Sequence, residues 1–276
     1  IKCFNGAYRM GRRILHDHHA YSQLNVEDVL VKSSNIGMAR IAERIGLDGL
    51  YQATAAFGFG SRTGIELPGE VDGLVRAKAN WDEYSMGSIP MGQELAVTPL
   101  QLITAHAALA NGGRLVRPHL MMDTSDDQVA PSPISTIKTV EATQSIESSI
   151  LRTDIAQWIV SGPMKNVVER GTGKSAKIKG LSIFGKTGTA QKLDPETGAY
   201  SNSKHICSFI CGAPAENPQV LVLVMVDEPS GPGSHYGGTV AAPTASEILK
   251  FALERMPYIS NRLTVRPEHD LPPERF

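Results

Sequence analysis

Two short strings in this chain could do chemistry together. Lys186-Thr187-Gly188-Thr189 places a fixed cation, two hydroxyls and a residue without a side chain in succession, and Ser33-Ser34-Asn35 supplies further hydroxyls and an amide. The run around the first string, Leu181 to Lys192 (LSIFGKTGTAQK) bounded by Gly180, alternates apolar and small residues as a half-buried strand does. Glycine inside a strand marks a place where another backbone or a ligand comes close. A cation and hydroxyls beside such a glycine suit an anionic peptide laid along an edge strand. Main-chain pairing would align the peptide, and the Lys and Thr side chains would take its carboxylate.

The plainest reading of Lys186-Thr187-Gly188 is a solvated turn. A sharper rival is a nucleotide-binding loop, because Gly180 to Thr187 satisfies G-x-x-x-x-G-K-[ST], and Val220 to Asp227 followed by Glu228 imitates an apolar strand ending in a magnesium-holding acid. A phosphate loop requires a helix to begin at the Lys-Thr pair. Here Leu181 to Phe184 read as the strand itself, and Gly188, Pro195 and Gly198 lead into another β-rich run, so a hairpin is expected.

Ser-x-Asn followed by Lys-Thr-Gly-Thr resembles two of the three signature motifs of penicillin-binding transpeptidases and serine β-lactamases. The stretches GFGSRTGIELPGE (Gly58 to Glu70), TPLQLITAHAALANGG (Thr98 to Gly113), KNVVERGTGKSA (Lys165 to Ala176) and HYGGTVAAP (His235 to Pro243) look like a class B penicillin-binding protein, in that family's order. The resemblance runs to about Met256 and implies an α+β, β-lactamase/transpeptidase-like fold. Its antiparallel sheet would be flanked by helices, with an α-rich subdomain. Residues 1–258 would be an incomplete transpeptidase domain, with 25–113 mostly α-rich, 146–258 a helix, sheet strands and C-terminal helix, and 259–276 a polar tail. The family commonly has glycine after Gly92-Gln93, where this chain has Glu94.

The elements that would position the motifs follow from local pattern. Residues 1–22 carry three His, three Arg and no clear period; His16, His18 and His19 lack the regular spacing and supporting acids or thiols of a metal site, so a polar loop is expected. Asn25 should cap a helix with Val26, Val29 and Leu30 on one face, delivering Ser33 and Asn35 before a second helix from Ile36 to Ile45 stopped by Gly46. Thr98-Pro99 starts another, with Leu100, Ile103, Ala107 and Leu109 as its buried stripe. Leu115 to Glu141 reads as exposed connection. A helix over Ile146–Val168 should bury Ile150, Ile155, Trp158 and Ile159; strands follow at Ile206–Gly212 and Val220–Val226, then a helix over Ala245–Met256.

Composition sets limits on partners. The 276 residues are 41% hydrophobic and 20% charged, ordinary globular material, and the net charge of −1 leaves no basic footprint for nucleic acid. No apolar run is long enough to span a bilayer. Three cysteines are too few for a disulfide framework. On a strand, Cys207 and Cys211 would stand roughly 13 Å apart, beyond the roughly 7 Å Cα limit for a disulfide, and read as small core residues.

The resemblance implies serine acyl transfer without metal or organic cofactor. The substrate would be a peptidoglycan stem peptide ending in D-Ala-D-Ala, with β-lactam antibiotics as mimics. Ser33 would relay a proton, Asn35 would bind the substrate amide, and Lys186 would supply positive potential and hold Ser33. Thr187, Gly188 and Thr189 would bind the terminal carboxylate, the Thr189 N–H serving as an oxyanion donor, with Tyr236 and Gly237 at the rim. The nucleophile of the family, a Ser-x-x-Lys serine, is expected upstream of Ile1 together with the first strands of the sheet. Ser135 to Lys138 falls among prolines and Ser201 to Lys204 leads into a strand, where residues three apart point to opposite faces. The resemblance further implies a protein anchored in the bacterial cytoplasmic membrane by a segment not in this chain, with the catalytic domain on the outer side, and division or elongation membrane proteins as partners. A β-lactam sensor or β-lactamase of the same fold stands as the alternative, and the 276 residues alone are expected to be inactive.

Overall fold

The computed structural model describes residues 1–120, 148–194, 196–230 and 236–264, with residues 148, 202 and 257–264 described by backbone alone. The first twenty residues are more ordered than a polar loop: β1 (Ala7–Met10) and β2 (Arg13–His16) form an antiparallel hairpin pairing Ala7 with His16. Short strands with one or two inward residues escape a periodicity reading. Here Met10 and Leu15 are buried with Cys3, Ile36 and Ala39 in one apolar cluster, and Tyr8 packs half-buried against it.

Helix α1 (Val26–Lys32) is capped as the sequence predicts, Asn25 Oδ1 accepting from Asp28 N–H at 2.6 Å. Val26 does not share the buried face; it is 47% exposed, while Val29 and Val31 are fully buried. The inward face is fixed by close packing of Val29 on Gly37, where a Cβ would come within 2.6 Å of Val29 Cγ2. Ser33 ends α1 in the left-handed conformation and Ser34 caps α2 (Asn35–Ala56). Gly46 breaks that helix at φ +78°, yet the helical path resumes to Ala56.

Further along come β3 (Leu74–Val75), α3 (Glu83–Ser88), β4 (Leu95–Ala96) and α4 (Pro99–Ala110). Thr98 and Gln101 make a capping box at the start of α4. The expected stripe is displaced: Gln101, Thr104, Ala105 and Ala108 are buried, whereas Leu100, Ile103, Ala107 and Leu109 are half-buried. Gln101 can enter because its amide donates to Ser61 O at 2.6 Å and Asp72 O at 2.8 Å, which removes the cost of burying it.

After β5 (Arg114–Leu115), most of the stretch expected to be connection lies outside the described residues. The chain re-enters at β6 (Ser148–Ser149) and α5 (Thr153–Ile159), a π-helical turn over Val160–Met164 that contains Pro163, and α6 (Lys165–Glu169). This interruption corrects the continuous helix expected from 146. Proline withholds an N–H and the wider turn shifts the phase of the following residues. Ile155 and Trp158, which precede the turn, are 38% and 43% exposed, and Ala156, Val160, Met164, Val167 and Val168 face in.

The sheet that positions the candidate site consists of β7 (Phe184–Leu193), β8 (Tyr200–Ala213) and β9 (Val220–Asp227), antiparallel in that order, with β7 at one edge. β7 starts at Phe184 rather than Leu181 and runs unbroken through Lys186 and Thr187. No helix begins there, so the phosphate-loop geometry is absent. Phe209, opposite Thr187 in the register, packs with Cys211, Val168, Ala245 and Leu249 on the face covered by α8 (Ala242–Thr264). Phe184 packs on the other face with Val160 and Met164. A short helix α7 (Gly237–Val240) precedes α8. α8 keeps helical backbone five residues beyond the expected start of the polar tail, as Ile259 and Leu263 continue a helical spacing.

The ring of Phe209 is seated between Gly173 and Gly185, each of which leaves room that a Cβ, 2.8 Å from the ring, would take away. Phe209→Ala should cost about 3–5 kcal/mol, since a fully buried ring leaves a cavity that rigid glycine backbones cannot fill. Urea denaturation checks this. A loss below about 1 kcal/mol would show that the site collapses freely.

Candidate active site

Lys186, the third residue of edge strand β7, reaches across to the junction of α1 and α2. Its Nζ donates to Ser33 Oγ at 2.7 Å and to Thr187 O at 2.9 Å. The two strings singled out by type and spacing, 153 residues apart, thus meet. They line one cavity of about 560 Å³, together with Asn35, Thr187, Gly188, Thr189, Tyr236 and Gly237. Every predicted site residue is brought to this cavity.

Ser33 is presented by a strained backbone. Its φ of 54° is left-handed, which costs a non-glycine residue about 1–2 kcal/mol. Ser34, 2% exposed, donates to Asp17 Oδ2 at 2.6 Å and accepts from Gly37 N–H at 2.9 Å. Asn35 Nδ2 donates to His16 O at 3.0 Å.

On the strand side, Thr187 and Thr172 hydroxyls share a hydrogen bond of 2.8 Å, and Thr189 Oγ1 accepts from Gly237 N–H at 3.2 Å. Gly237 lies flat on the sheet, where a Cβ would collide with the carbonyl oxygens of Ser208 and Gly188; at Gly238 it would strike Thr172 O. Tyr236 is half exposed and its hydroxyl meets His18 Nε2 at 2.7 Å. His18 is therefore part of the cavity wall.

Three contributors were not found by sequence reasoning. Thr172 belongs to KNVVERGTGKSA, a stretch noted without a task. Its turn approaches α1 so closely that a Cβ on Gly171 would lie 2.5 Å from Val31 O. Arg170 beside it donates to Asp28 at 2.5 Å and Glu27 at 2.7 Å. His106 on α4 is the third; its Nδ1 carries the proton, since the partner 2.9 Å away is the Leu102 carbonyl, which only accepts. Burial and, secondarily, the charge of Lys186 hold the His106 pKa below its usual value.

Glu94 also adopts a left-handed conformation, φ 64°, where glycine would be unstrained. Its carboxylate pairs with Arg76 and accepts from Ser85 Oγ at 2.8 Å, and its N–H donates to Tyr200 Oη at 3.3 Å. Those contacts hold the position in place of glycine's freedom.

Known proteins resemble this chain in sequence and fold. The family described as penicillin binding protein transpeptidase domain matches residues 5–250. The chain belongs to the penicillin-binding transpeptidase family. It is 35% identical over 229 residues to stage V sporulation protein D of Bacillus subtilis, covering 83% of this chain and 34% of that protein. Penicillin-binding protein PbpB of Mycolicibacterium smegmatis is 32% identical over 258 residues, 91% of this chain and 39% of the relative. The chain thus spans about a third of the length of these curated relatives. Penicillin-binding protein 3 of Mycobacterium tuberculosis, solved with aztreonam, superimposes with a TM-score of 0.78 at 28% identity, covering 98% of this chain and 59% of that one. The transpeptidase domain of Burkholderia pseudomallei penicillin-binding protein 3 gives 0.78 at 27% identity, covering 99% and 74%.

Burial lowers the Lys186 pKa from 10.5 to about 8. The amine is mainly protonated at pH 7 and loses its charge as pH rises through 8. In the unfolded chain it stays charged to about 10.4. Between those values the unfolded state binds more protons, so this group makes the fold more stable as pH rises through that window. The Lys186 signal in ¹³C-lysine NMR should titrate near pH 8; a midpoint at the ordinary lysine value would refute a buried amine.

Proposed function

We propose that this penicillin-binding transpeptidase chain supplies the proton-relay and carboxylate-binding part of a peptidoglycan D,D-transpeptidase site. The observation that carries the proposal is the 2.7 Å hydrogen bond from Lys186 Nζ to Ser33 Oγ, because it joins the amide-binding turn to the carboxylate-binding strand in one cavity. A serine supplied from outside the 276 residues, in a Ser-x-x-Lys motif, would attack the penultimate D-Ala carbonyl of a stem peptide ending in D-Ala-D-Ala. The terminal D-Ala leaves, and an amine on a neighbouring strand takes the acyl group.

In this scheme Ser33 passes a proton towards the leaving amine and Asn35 holds the substrate amide. Lys186 keeps the positive potential that stabilises developing charge, while the Thr187 and Thr189 hydroxyls, flanking Gly188, bind the terminal carboxylate. The Thr189 N–H serves as one of two oxyanion donors. Tyr236 and Gly237 bound the groove beyond Thr189. β-Lactams would enter as mimics of the dipeptide. The proposed role is in wall synthesis, with the catalytic part on the outer side of the cytoplasmic membrane and membrane proteins of the division or elongation machinery as partners. No helix among the described residues is long and apolar enough to cross a membrane.

Among the described residues Ser-x-x-Lys occurs only at Ser201 to Lys204, and not on a helix as activation demands. Ser201 lies on β8, and its hydroxyl is taken up locally by the N–H groups of Ser203 at 3.2 Å and Lys204 at 3.1 Å. Ser135 lies outside the described residues. Intact-mass spectrometry with excess fluorescent penicillin should therefore give no adduct on these 276 residues. It should give one adduct on the protein extended through the upstream motif, slowed by orders of magnitude in Lys186→Ala. A stoichiometric adduct on Ser33, Ser135 or Ser201, or an unchanged rate in Lys186→Ala, would overturn the assignment.

A further inference from the structure

We infer that Asp17 is a positioning residue for the site, acting through the Ser33-Ser34-Asn35 turn. This rests on the reading of Ser33 as the proton relay. Asp17 follows β2 directly, and its own N–H donates to Gly6 O at 3.2 Å, so the carboxylate is fixed to the β1–β2 hairpin. One carboxylate oxygen accepts from Ser34 Oγ at 2.6 Å and the other from Ile36 N–H at 3.0 Å. Its neighbour His16 accepts from Asn35 through its carbonyl at 3.0 Å. The hairpin thus grips three successive residues, 34 to 36, immediately after the one residue whose hydroxyl must meet Lys186.

The grip sets a direction as well as a place. Ser34 is buried, and its hydroxyl both donates to Asp17 and accepts from Gly37 N–H at 2.9 Å, which leaves one orientation for the turn. Ser33 adopts its left-handed φ of 54° because the chain must leave α1 and enter α2 through that fixed point. Released from Asp17, Ser33 would relax towards an ordinary backbone conformation and carry Oγ away from Lys186 Nζ. Asp17 touches neither Lys186 nor the strand that takes the carboxylate, so its removal should spare ligand binding more than acyl transfer.

The test uses the full-length protein that contains this chain. Asp17→Ala should lower the rate constant of acylation by penicillin about 10- to 100-fold, with the pre-covalent dissociation constant changed less than threefold. Because Asp17 and Lys186 act through the same hydroxyl, the double variant Asp17→Ala/Lys186→Ala should be no slower than Lys186→Ala by more than about threefold. Asp17→Asn, which keeps the side chain's size and one acceptor, should recover part of the rate. Independently of activity, amide exchange followed by NMR should quicken at Ile36 and Gly37 in Asp17→Ala while the amides of Lys186 to Thr189 keep their protection. A folded Asp17→Ala that acylates at the wild-type rate, losses that multiply in the double variant, or unchanged exchange at Ile36 and Gly37 would each overturn the inference. Failure of the unmodified full-length protein to acylate would count against the transpeptidase reading instead, and the exchange measurement would still decide whether Asp17 holds the turn.

Discussion

A hydrogen bond between Lys186 and Ser33 tolerates a few tenths of an ångström, yet its partners are 153 residues apart. The turn at Arg170 to Gly173 makes it possible because it touches both sides. Arg170 meets Glu27 and Asp28 in the first turn of α1, Gly171 lies against the Val31 carbonyl near the end of that helix, and Thr172 bonds Thr187 on β7. The arginine pairs are partly exposed, and such pairs contribute only about 0–1 kcal/mol. The backbone-to-backbone approach at Gly171 and the Phe209 ring wedged beside Gly173 are the more rigid parts of the linkage. Packing therefore sets the distance across which Lys186 acts, and charge refines it.

Strain collects near the same place. Ser33 and Glu94 both take left-handed backbone conformations that cost a side-chain-bearing residue. Each is offset by polar contacts made by itself or its neighbours: Ser34 and Ile36 on Asp17 in one case, Arg76 and Ser85 on the Glu94 carboxylate in the other. The resemblance leads one to expect glycine at Glu94, and the left-handed φ of 64° there is one that glycine adopts without strain.

What the sequence disclosed and what it hid divide along physical lines. Residue type and order were enough for the Lys-Thr-Gly-Thr strand, the Ser-x-Asn turn, the caps at Asn25 and Thr98, and the strands after Gly198, because each depends on local chemistry or on period. The inward face of α4 was misread because Gln101 is buried with its amide satisfied by distant carbonyls, a circumstance no apolar count contains. The face of α5 was misread because the residue it buries is the small Ala156, which an apolar count ranks below the exposed Ile155 and Trp158. The hairpin of residues 7–16 was missed because it turns only Tyr8, Met10 and Leu15 inward. Asp17 and Thr172 escaped notice as site residues for a different reason: their partners are backbone groups or hydroxyls brought near by the tertiary fold.

Cys207 and Cys211 occupy the middle strand, opposite Thr189 and Gly185 in the register, and both are fully buried. Burial raises both thiol pKa values, that of Cys211 to about 12, so almost none of the reactive thiolate exists at neutral pH while the sheet is closed. Alkylation of these sulfurs must wait for β8 to separate from its neighbours. The pair is thus a built-in clock for breathing of the sheet. Since β7 forms the wall of the groove, a ligand lying along β7 would slow that clock without touching either sulfur.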